Sequence, residues 1–480
     1  MKVVAVAAMR QLEKASGIPG PELMRRAGAG AAKLIREEFF RYPGRERIVI
    51  VTGRGNNAGD GIVASLQLAR DRALPRPVVA AAFPPEKLTG EAGVYAPRLA
   101  EAGIEIVSSP DFRPGDLIVD ALFGIGLARD IGSPYAEWVR AINAARCPVV
   151  ALDLPSGLSG DAGNIYNVCV RADLTISFGL PKAGLFRGRG PALCGRLANV
   201  SLDIAEEIVE KIPAEAISFY AEDAVPLLPR LDFDAYKNTR GRLLVAAGSP
   251  RYPGAPQLTA AAALRTGAGF VRLATDADGG FPPPVVRCGT DPTAVQTALA
   301  ASDAIAAGPG WGADGARTEL LKCLLAAKLP TVLDADALNL LARSPGLELP
   351  PECVLTPHIG EARRLMPDLP EGRPDAARDL AAKFGCVVLV KGPRTAVAAP
   401  DGRCSVNSSG SPALGVAGSG DVLTGVIGAL LAQGLSAFDA ARLGVWLHGK
   451  AGEVVPMRGL RADDLPDKVR EVMGKAAVLC

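Results

Sequence analysis

The sequence predicts an α/β protein of two domains, each on its own buried, mainly parallel sheet. Short β-rich apolar runs end in loops of Gly, Asn, Asp or Pro and pass into Ala/Leu-rich amphipathic segments, again and again; this is how strand–helix units bury a sheet on both faces. The length, 480 residues, suits roughly two to four separate cores. A charged stretch, Glu206-Glu-Ile-Val-Glu-Lys211, then leads to Pro213 and a connector containing Pro226 and Pro229. It places the boundary within about ten residues of 216, giving domains 1–216 and 217–480.

In chain order, strands are expected at Arg47 to Thr52, Pro77 to Phe83, Asp116 to Asp120, Pro148 to Leu152 and Asp173 to Phe178. In the second domain they are expected at Arg242 to Ala247, Gly269 to Ala274, Ala304 to Ala307, Thr331 to Asp334, Val354 to Thr356 and Val387 to Lys391. Helices are expected from Ile62 to Arg72 and from Val422 to Gln433, the latter stopped by Gly434.

Composition excludes several classes. The 53 basic and 51 acidic residues leave a net charge of +2, without the basic excess that nucleic acid or an anionic membrane favours. The longest apolar stretch, Val416 to Ala432, is broken by Asp421 and falls short of the roughly 18 residues a membrane span needs. The first nine residues mimic a signal core but lead to no convincing cleavage site. Nine cysteines lie between positions 147 and 480 with no C-x-x-C pair, and the two histidines, His358 and His448, are far apart. That argues against a zinc cluster and a disulfide framework, and for buried free thiols in the cytoplasm, with Cys480 exposed at the terminus.

The first domain opens its chemistry in Thr52-Gly-Arg-Gly-Asn-Asn-Ala-Gly-Asp-Gly61, between a strand and a helix whose first amides can hold a phosphate. The loop satisfies G-x-G-x-x-A, yet no acidic residue closes the next strand at Phe83-Pro-Pro, which disfavours a hydride-transfer dehydrogenase. Asn56, Asn57 and Asp60 add hard oxygens, which either hold a hard cation or satisfy turn amides and cap the helix; the loop alone allows both. Two further strand ends, Asp120-Ala-Leu-Phe-Gly-Ile-Gly-Leu127 and Asp153-Leu-Pro-Ser-Gly157, share the sheet edge with it. Asp120, Asp153, Ser156 and the Asn56 loop are therefore expected to converge.

The second domain carries Gly415-Val-Ala-Gly-Ser-Gly-Asp421 before an apolar helix. Three glycines can fold amides into an anion-binding nest, with Asp421 in the first turn to take a proton from an attacking hydroxyl; the alternative is a turn with Asp421 as cap. Gly444-Val-Trp-Leu-His-Gly-Lys-Ala451 matches G-x-x-x-x-G-K, but Ala451 replaces the magnesium-binding hydroxyl and the stretch is an amphipathic helix. His448 is expected on its apolar face, whereas His358, after a strand in a Thr-Pro loop, is a functional candidate.

These motifs carry a family resemblance. Gly53-Arg-Gly-Asn-Asn-Ala-Gly-Asp-Gly61, Asp120 to Leu127, Asp153 to Gly157 and Phe178-Gly-Leu-Pro-Lys-Ala-Gly-Leu185 resemble, in this order, NAD(P)HX epimerase domains, with a Rossmann-like three-layer sandwich. The resemblance implies that Asn56, Asn57, Ala58, Gly59 and Asp60, with Gly124, Ile125, Gly126, Leu127, Ala128, Arg129 and Asp130, hold the hydrated nucleotide. It also implies that Asn57, Asp120 and Ser156 bind K⁺, and that Asp153 contacts the hydrated ring as proton acceptor.

The order Gly308-Pro-Gly310, Asp334-Ala-Asp336, Thr356-Pro-His358, Lys391-Gly392 and Gly418-Ser-Gly-Asp421 resembles the ribokinase-like superfamily. Thr239-Arg-Gly-Arg242, Tyr252-Pro-Gly-Ala-Pro256, Ala263 to Gly269 and Thr356 to Ala362 bring it nearer to ADP/ATP-dependent NAD(P)HX dehydratases. That likeness implies that Ala255, Gly312, His358 and Asp421 contact the hydrated nucleotide, and that Lys391, Gly392, Pro393, Arg394, Thr395 and Gly420 hold ADP or ATP, with Mg²⁺ on its phosphates. The whole chain thus resembles bifunctional NAD(P)H-hydrate repair enzymes, with no nucleic-acid or membrane partner and a homo-oligomeric assembly expected. Two rival readings stand beside it. One is a ribokinase-like small-molecule kinase with a non-catalytic first domain; the other is a scaffold, since domains like the first occur in RNA-decapping proteins.

Overall fold

A computed structural model describes residues 1–312, 315–456 and 458–477. The chain divides into two compact units, Met1–Ala216 and the remainder from Ile217. Cys480 lies outside the described residues; no disulfide joins the eight described cysteines, and six of them are buried. Among the described residues no helix is long and apolar enough to cross a membrane.

The first unit holds a seven-stranded, wholly parallel sheet: β1 (Arg47–Thr52), β2 (Val78–Ala81), β3 (Glu105–Val107), β4 (Asp116–Ala121), β5 (Val149–Leu152), β6 (Leu174–Phe178) and β7 (Arg196–Val200), in the order β3-β2-β1-β4-β5-β6-β7. The inner strands are buried along nearly their whole length, as unbroken Val/Ile/Leu runs require when helices cover both faces. One face is covered by α1 (Val6–Ala15) and α2 (Gly20–Arg41), whose Met9, Leu12, Ala31 and Ile35 join Ile48, Ile50 and Val119 in one core. The other is covered by α4 (Tyr135–Ala144), whose Trp138, Val139 and Ile142 pack on Val49 and Ile118. Between β1 and β2 runs α3 (Asn56–Leu68), a helix that starts six residues earlier than the sequence suggests. The turn needs only Gly53 to Gly55, because a Cβ on Gly53 would overlap the Leu122 carbonyl, and the Ala58 amide already donates to Gly55 O at 3.1 Å.

The second unit carries β8 (Ala216–Phe219), β9 (Arg242–Ala246), β10 (Phe270–Ala274), β11 (Val286–Cys288), β12 (Ala304–Ala307), β13 (Thr331–Leu333), β14 (Cys353–Leu355), β15 (Val387–Val390), β16 (Ala396–Ala398) and β17 (Cys404–Asn407). They lie in the order β8-β17-β16-β15-β14-β13-β12-β9-β10-β11, and only the pairs β15–β16 and β16–β17 are antiparallel. Above this sheet pack α5 (Gly254–Arg265), α8 (Ser419–Ala432), α9 (Ala437–Glu453) and α10 (Leu465–Ala477). Helix α8 is buried nearly all round, and Gly425 and Gly428 are what let it approach α5 and β12: a Cβ on Gly425 would overlap Thr259 O, and one on Gly428 would come within 3.0 Å of the Ala306 Cβ.

Candidate active sites

In the first unit the C-terminal ends of β1, β4 and β5 meet, as strand ends of a doubly wound sheet do where the strand order reverses. Asp120 at the end of β4 is fully buried; its Oδ1 accepts from Ser156 Oγ at 2.6 Å and from the Leu122 amide at 3.2 Å, and its Oδ2 from the Ser156 amide at 2.8 Å. Burial pushes its carboxyl up to about 6 against those three bonds. Asn57, in the first turn of α3, is 6% exposed, and neither its amide nitrogen nor its amide oxygen has a hydrogen-bond partner. A buried amide left so is expensive unless something absent from the protein meets it.

Asp153, just past β5, stands in the left-handed region at φ 63°, which a non-glycine residue adopts only when its surroundings insist. Its Oδ2 accepts from the Ile125 amide at 2.8 Å, and its Oδ1 lies 2.6 Å from the Nζ of Lys182, a lysine 1% exposed that also donates to Phe178 O at 2.8 Å. A cavity of about 780 Å³ opens over this pair. Asn56, Asn57, Asp60, Gly124 to Arg129 and Asp153 all line it; Ala58 is fully buried beneath, and neither Gly59 nor the exposed Asp130 reaches its wall. The wall also includes Lys182 and Glu13, which sequence reasoning did not single out. Lys182 lay inside the quoted Gly-Leu-Pro-Lys-Ala-Gly-Leu segment, while Glu13 sits in an ordinary amphipathic helix with nothing to mark it.

In the second unit, Gly418 at φ 87° turns the chain into α8, whose first turn contains Ser419, Gly420 and Asp421. Lys391, at the end of β15, donates to Asp334 Oδ1 at 2.6 Å, and Asp334 Oδ2 accepts from Thr424 Oγ1 at 2.8 Å, one turn into α8. Glu361 stands 3.9 Å from the same lysine. Burial works against the charge on Lys391, but Asp334 and Glu361 outweigh it and raise the ammonium. Asp421 is pushed up to about 7, by burial and by Asp334, with Lys391 pulling the other way. Gly312 donates its amide to Asp336 Oδ2 at 2.7 Å, and Ala255 opens α5 beside Gly310.

His358 caps α7 (Ile359–Leu365): its Nδ1 accepts from the Gly360 and Glu361 amides at 2.9 and 3.3 Å, which leaves the proton on an Nε2 whose ring is about half exposed. In the Lys391 to Thr395 segment Gly392 and Pro393 are exposed, while Arg394 and Thr395 turn inward, Arg394 donating to Ser408 O at 2.6 Å. The guanidinium of Arg373 presses on Gly392, and its buried Nε has no hydrogen-bond partner.

His448 lies buried on α9, as expected, and its Nε2 is in addition 3.1 Å from Ser419 Oγ, so it also supports the glycine nest; burial holds it down to about 4. Sequence could not place this contact, which joins residues 29 apart on two helices.

Two doubly wound units, each gathering carboxylates, amides and an ion-paired lysine at strand ends, define a two-domain nucleotide-handling α/β enzyme. Residues 20–184 match the family model described as YjeF-related protein N-terminus, and residues 243–473 the one described as NAD(P)H-hydrate dehydratase. The chain is 36% identical over 476 residues to the bifunctional NAD(P)H-hydrate repair enzyme Nnr of Coxiella burnetii, covering 95% of this chain and 96% of that one. It is 37% identical to the enzyme of the same name from Thermofilum pendens, covering 95% and 92%. Among solved structures it is similar to a ribokinase-like superfamily protein of Enterococcus faecalis, at TM-score 0.52 and 25% identity, over 55% of this chain and 97% of that one. The chain belongs to the bifunctional NAD(P)H-hydrate repair enzymes, with an epimerase domain followed by an ADP/ATP-dependent dehydratase domain.

Proposed function

We propose that the residues above divide the repair of hydrated NADH and NADPH between the units: the first interconverts the R and S epimers, and the second dehydrates the S epimer at the expense of ADP or ATP. The observation that carries this reading is that each unit presents its own carboxylate at a strand or helix end, Asp153 on the 780 Å³ cavity and Asp421 in the glycine nest.

Dehydration needs a better leaving group than hydroxide. Asp421 takes the proton of the substrate hydroxyl as that oxygen attacks the terminal phosphoryl group, and the amides of residues 418 to 421 hold the charge that builds there. The C–O bond then breaks with its electron pair going to the phosphate, and loss of a proton from the adjoining ring carbon to solvent restores the conjugated dihydropyridine. A pKa near 7 suits a base of this kind, because the group is partly ionised at neutral pH yet still accepts a proton readily. Lys391 to Thr395 and Gly420 hold the adenine nucleotide; Ala255, Gly312 and His358 hold the hydrated nucleotide.

Mg²⁺ fits this site. Asp334, Glu361 and Asp421 act on Lys391, and Asp336 acts on Asp421, an anionic surplus that would repel a nucleotide phosphate arriving alone. When bound, Mg²⁺ supplies positive charge to the phosphates. K⁺ fits the first unit: the partnerless amide oxygen of Asn57, with Asp120 and Ser156 Oγ, forms a hard-oxygen set for a monovalent cation. When bound, K⁺ supplies charge beside the nucleotide phosphate. The free thiols support a cytoplasmic setting.

Product analysis tests the reading against the small-molecule kinase. Release of orthophosphate together with regenerated reduced nicotinamide supports it; a stable phosphorylated product would overturn it.

A further inference from the structure

Asp60 differs from the two strand-end aspartates of the first unit, Asp120 and Asp153. It follows Asn56 and Asn57 by four and three residues on α3, so all three share the helix face that lines the cavity. Among the described residues, Asp120 and Asp153 are each tied down by hydrogen bonds or an ion pair, whereas no hydrogen bond or ion pair reaches the side chain of Asp60. Two carboxyls on one cavity therefore live in opposite environments. Asp153 is ion-paired with Lys182 and fixed by the Ile125 amide; Asp60 faces the cavity without a cation of its own.

The hydrated ring carries its hydroxyl on a carbon bonded to the ring nitrogen, which makes it a hemiaminal. Inverting that carbon does not require loss of water. If the hydroxyl proton is removed, C=O forms as the C–N bond breaks, and the electron pair goes to nitrogen, which needs a proton. Rotation about the adjoining C–C bond presents the other face, and closure runs the same transfers backward. Such a cycle needs one ionised and one neutral group within reach of the same ring, and it restores both at each turnover.

We propose that Asp60 is the neutral member of this pair: it gives its proton to the ring nitrogen and recovers it on closure, while Asp153 takes and returns the hydroxyl proton. The assignment rests on the epimerase reading of the first unit and goes beyond it, since the loop resemblance implies only nucleotide contact for Asp60. The electrostatics agree. Asp60 is held well above the usual carboxylate range, by burial first and then by Asp153 and Glu13, with Lys182 opposing. Glu13, itself raised by burial, faces it from α1; Arg10, Arg54, Glu91 and Arg129 also line the wall and carry no bond to Asp60.

The test is exchange of R- and S-hydrated NADH by the full chain without ADP or ATP, followed by chromatographic separation of the epimers across a pH series. Asp60→Asn is expected to lower kcat for exchange about 100-fold or more, to change KM less than about threefold, and to abolish the fall in rate on the alkaline side. Asp60→Glu is expected to restore part of kcat with that alkaline limb moved. A raised KM with kcat retained would reduce Asp60 to a nucleotide contact and overturn the proposal. So would an unshifted alkaline limb in Asp60→Glu, which decides the matter even where the Asn variant folds poorly, as judged by circular dichroism and thermal melting. Absence of exchange in the unaltered chain would instead overturn the epimerase reading itself.

Discussion

Replacing Asp421 with Asn removes the proton acceptor from the glycine nest while keeping the size of the side chain. Among the described residues Asp421 receives no hydrogen bond from the protein, so the change leaves no buried donor stranded. General-base catalysis is worth about 10²–10⁴ in rate, or about 3–5 kcal/mol of barrier, and the variant is expected to lose dehydration by that factor. The unaltered enzyme should show dehydration falling tenfold per pH unit below about 7, the value to which burial and Asp334 push this carboxyl, and the Asn variant should lose that limb. The sign for stability is opposite to that for activity. A carboxyl raised in the folded state binds its proton more tightly there than in the unfolded chain. Its contribution is therefore present at low pH and lost as pH rises through about 7. At pH 8 Asp421→Asn should melt no lower than the parent. The assay is recovery of reduced-nicotinamide absorbance from S-hydrated NADH with ADP and Mg²⁺, alongside epimer exchange by chromatography. Dehydration within a few-fold of the parent, or loss of both activities in folded protein, would refute the reasoning.

Gly124→Ala places a Cβ onto Asp153 Oδ2 and should lower epimer exchange at least about tenfold while dehydration is unchanged. Lys182→Met strands the Asp153 carboxylate in a buried site; a destabilisation of about 3–5 kcal/mol is expected by denaturant titration of the first unit, and Asp153→Asn in the same chain should recover much of it. His448, held down to about 4 and hydrogen-bonded while neutral to Ser419, binds its proton less tightly folded than unfolded. Stability of the second unit should therefore fall as pH drops from about 6.5 towards 4, and His448→Phe should flatten that dependence in thermal melts.

The strands that carry the sites were readable because parallel strands buried on both faces leave unbroken apolar runs, as Ile48-Val-Ile-Val51 and Val387-Val-Leu-Val390 do. The strands that escaped are short or lie at edges. Glu105–Val107 is mostly exposed, and the hairpin of Ala396–Ala398 and Cys404–Asn407 turns through Asp401-Gly402 without a run long enough to register. Glycine loops announced both sites, since a turn between strand and helix leaves its mark in composition. What holds those loops in place left no local mark. The pairs Lys182–Asp153, Lys391–Asp334 and His448–Ser419 join residues 29 or more apart and exist only once the sheets are assembled.

The central claim is that one chain repairs both epimers of the hydrated nucleotide. It is tested most directly by following reduced-nicotinamide absorbance after the protein, Mg²⁺ and ADP or ATP are added to an R/S mixture of hydrated NADH. Recovery of the whole mixture is expected, faster than the epimers exchange unaided. Recovery that stops at the S fraction would contradict the assignment of the first unit, and no recovery with either nucleotide would contradict the account as a whole.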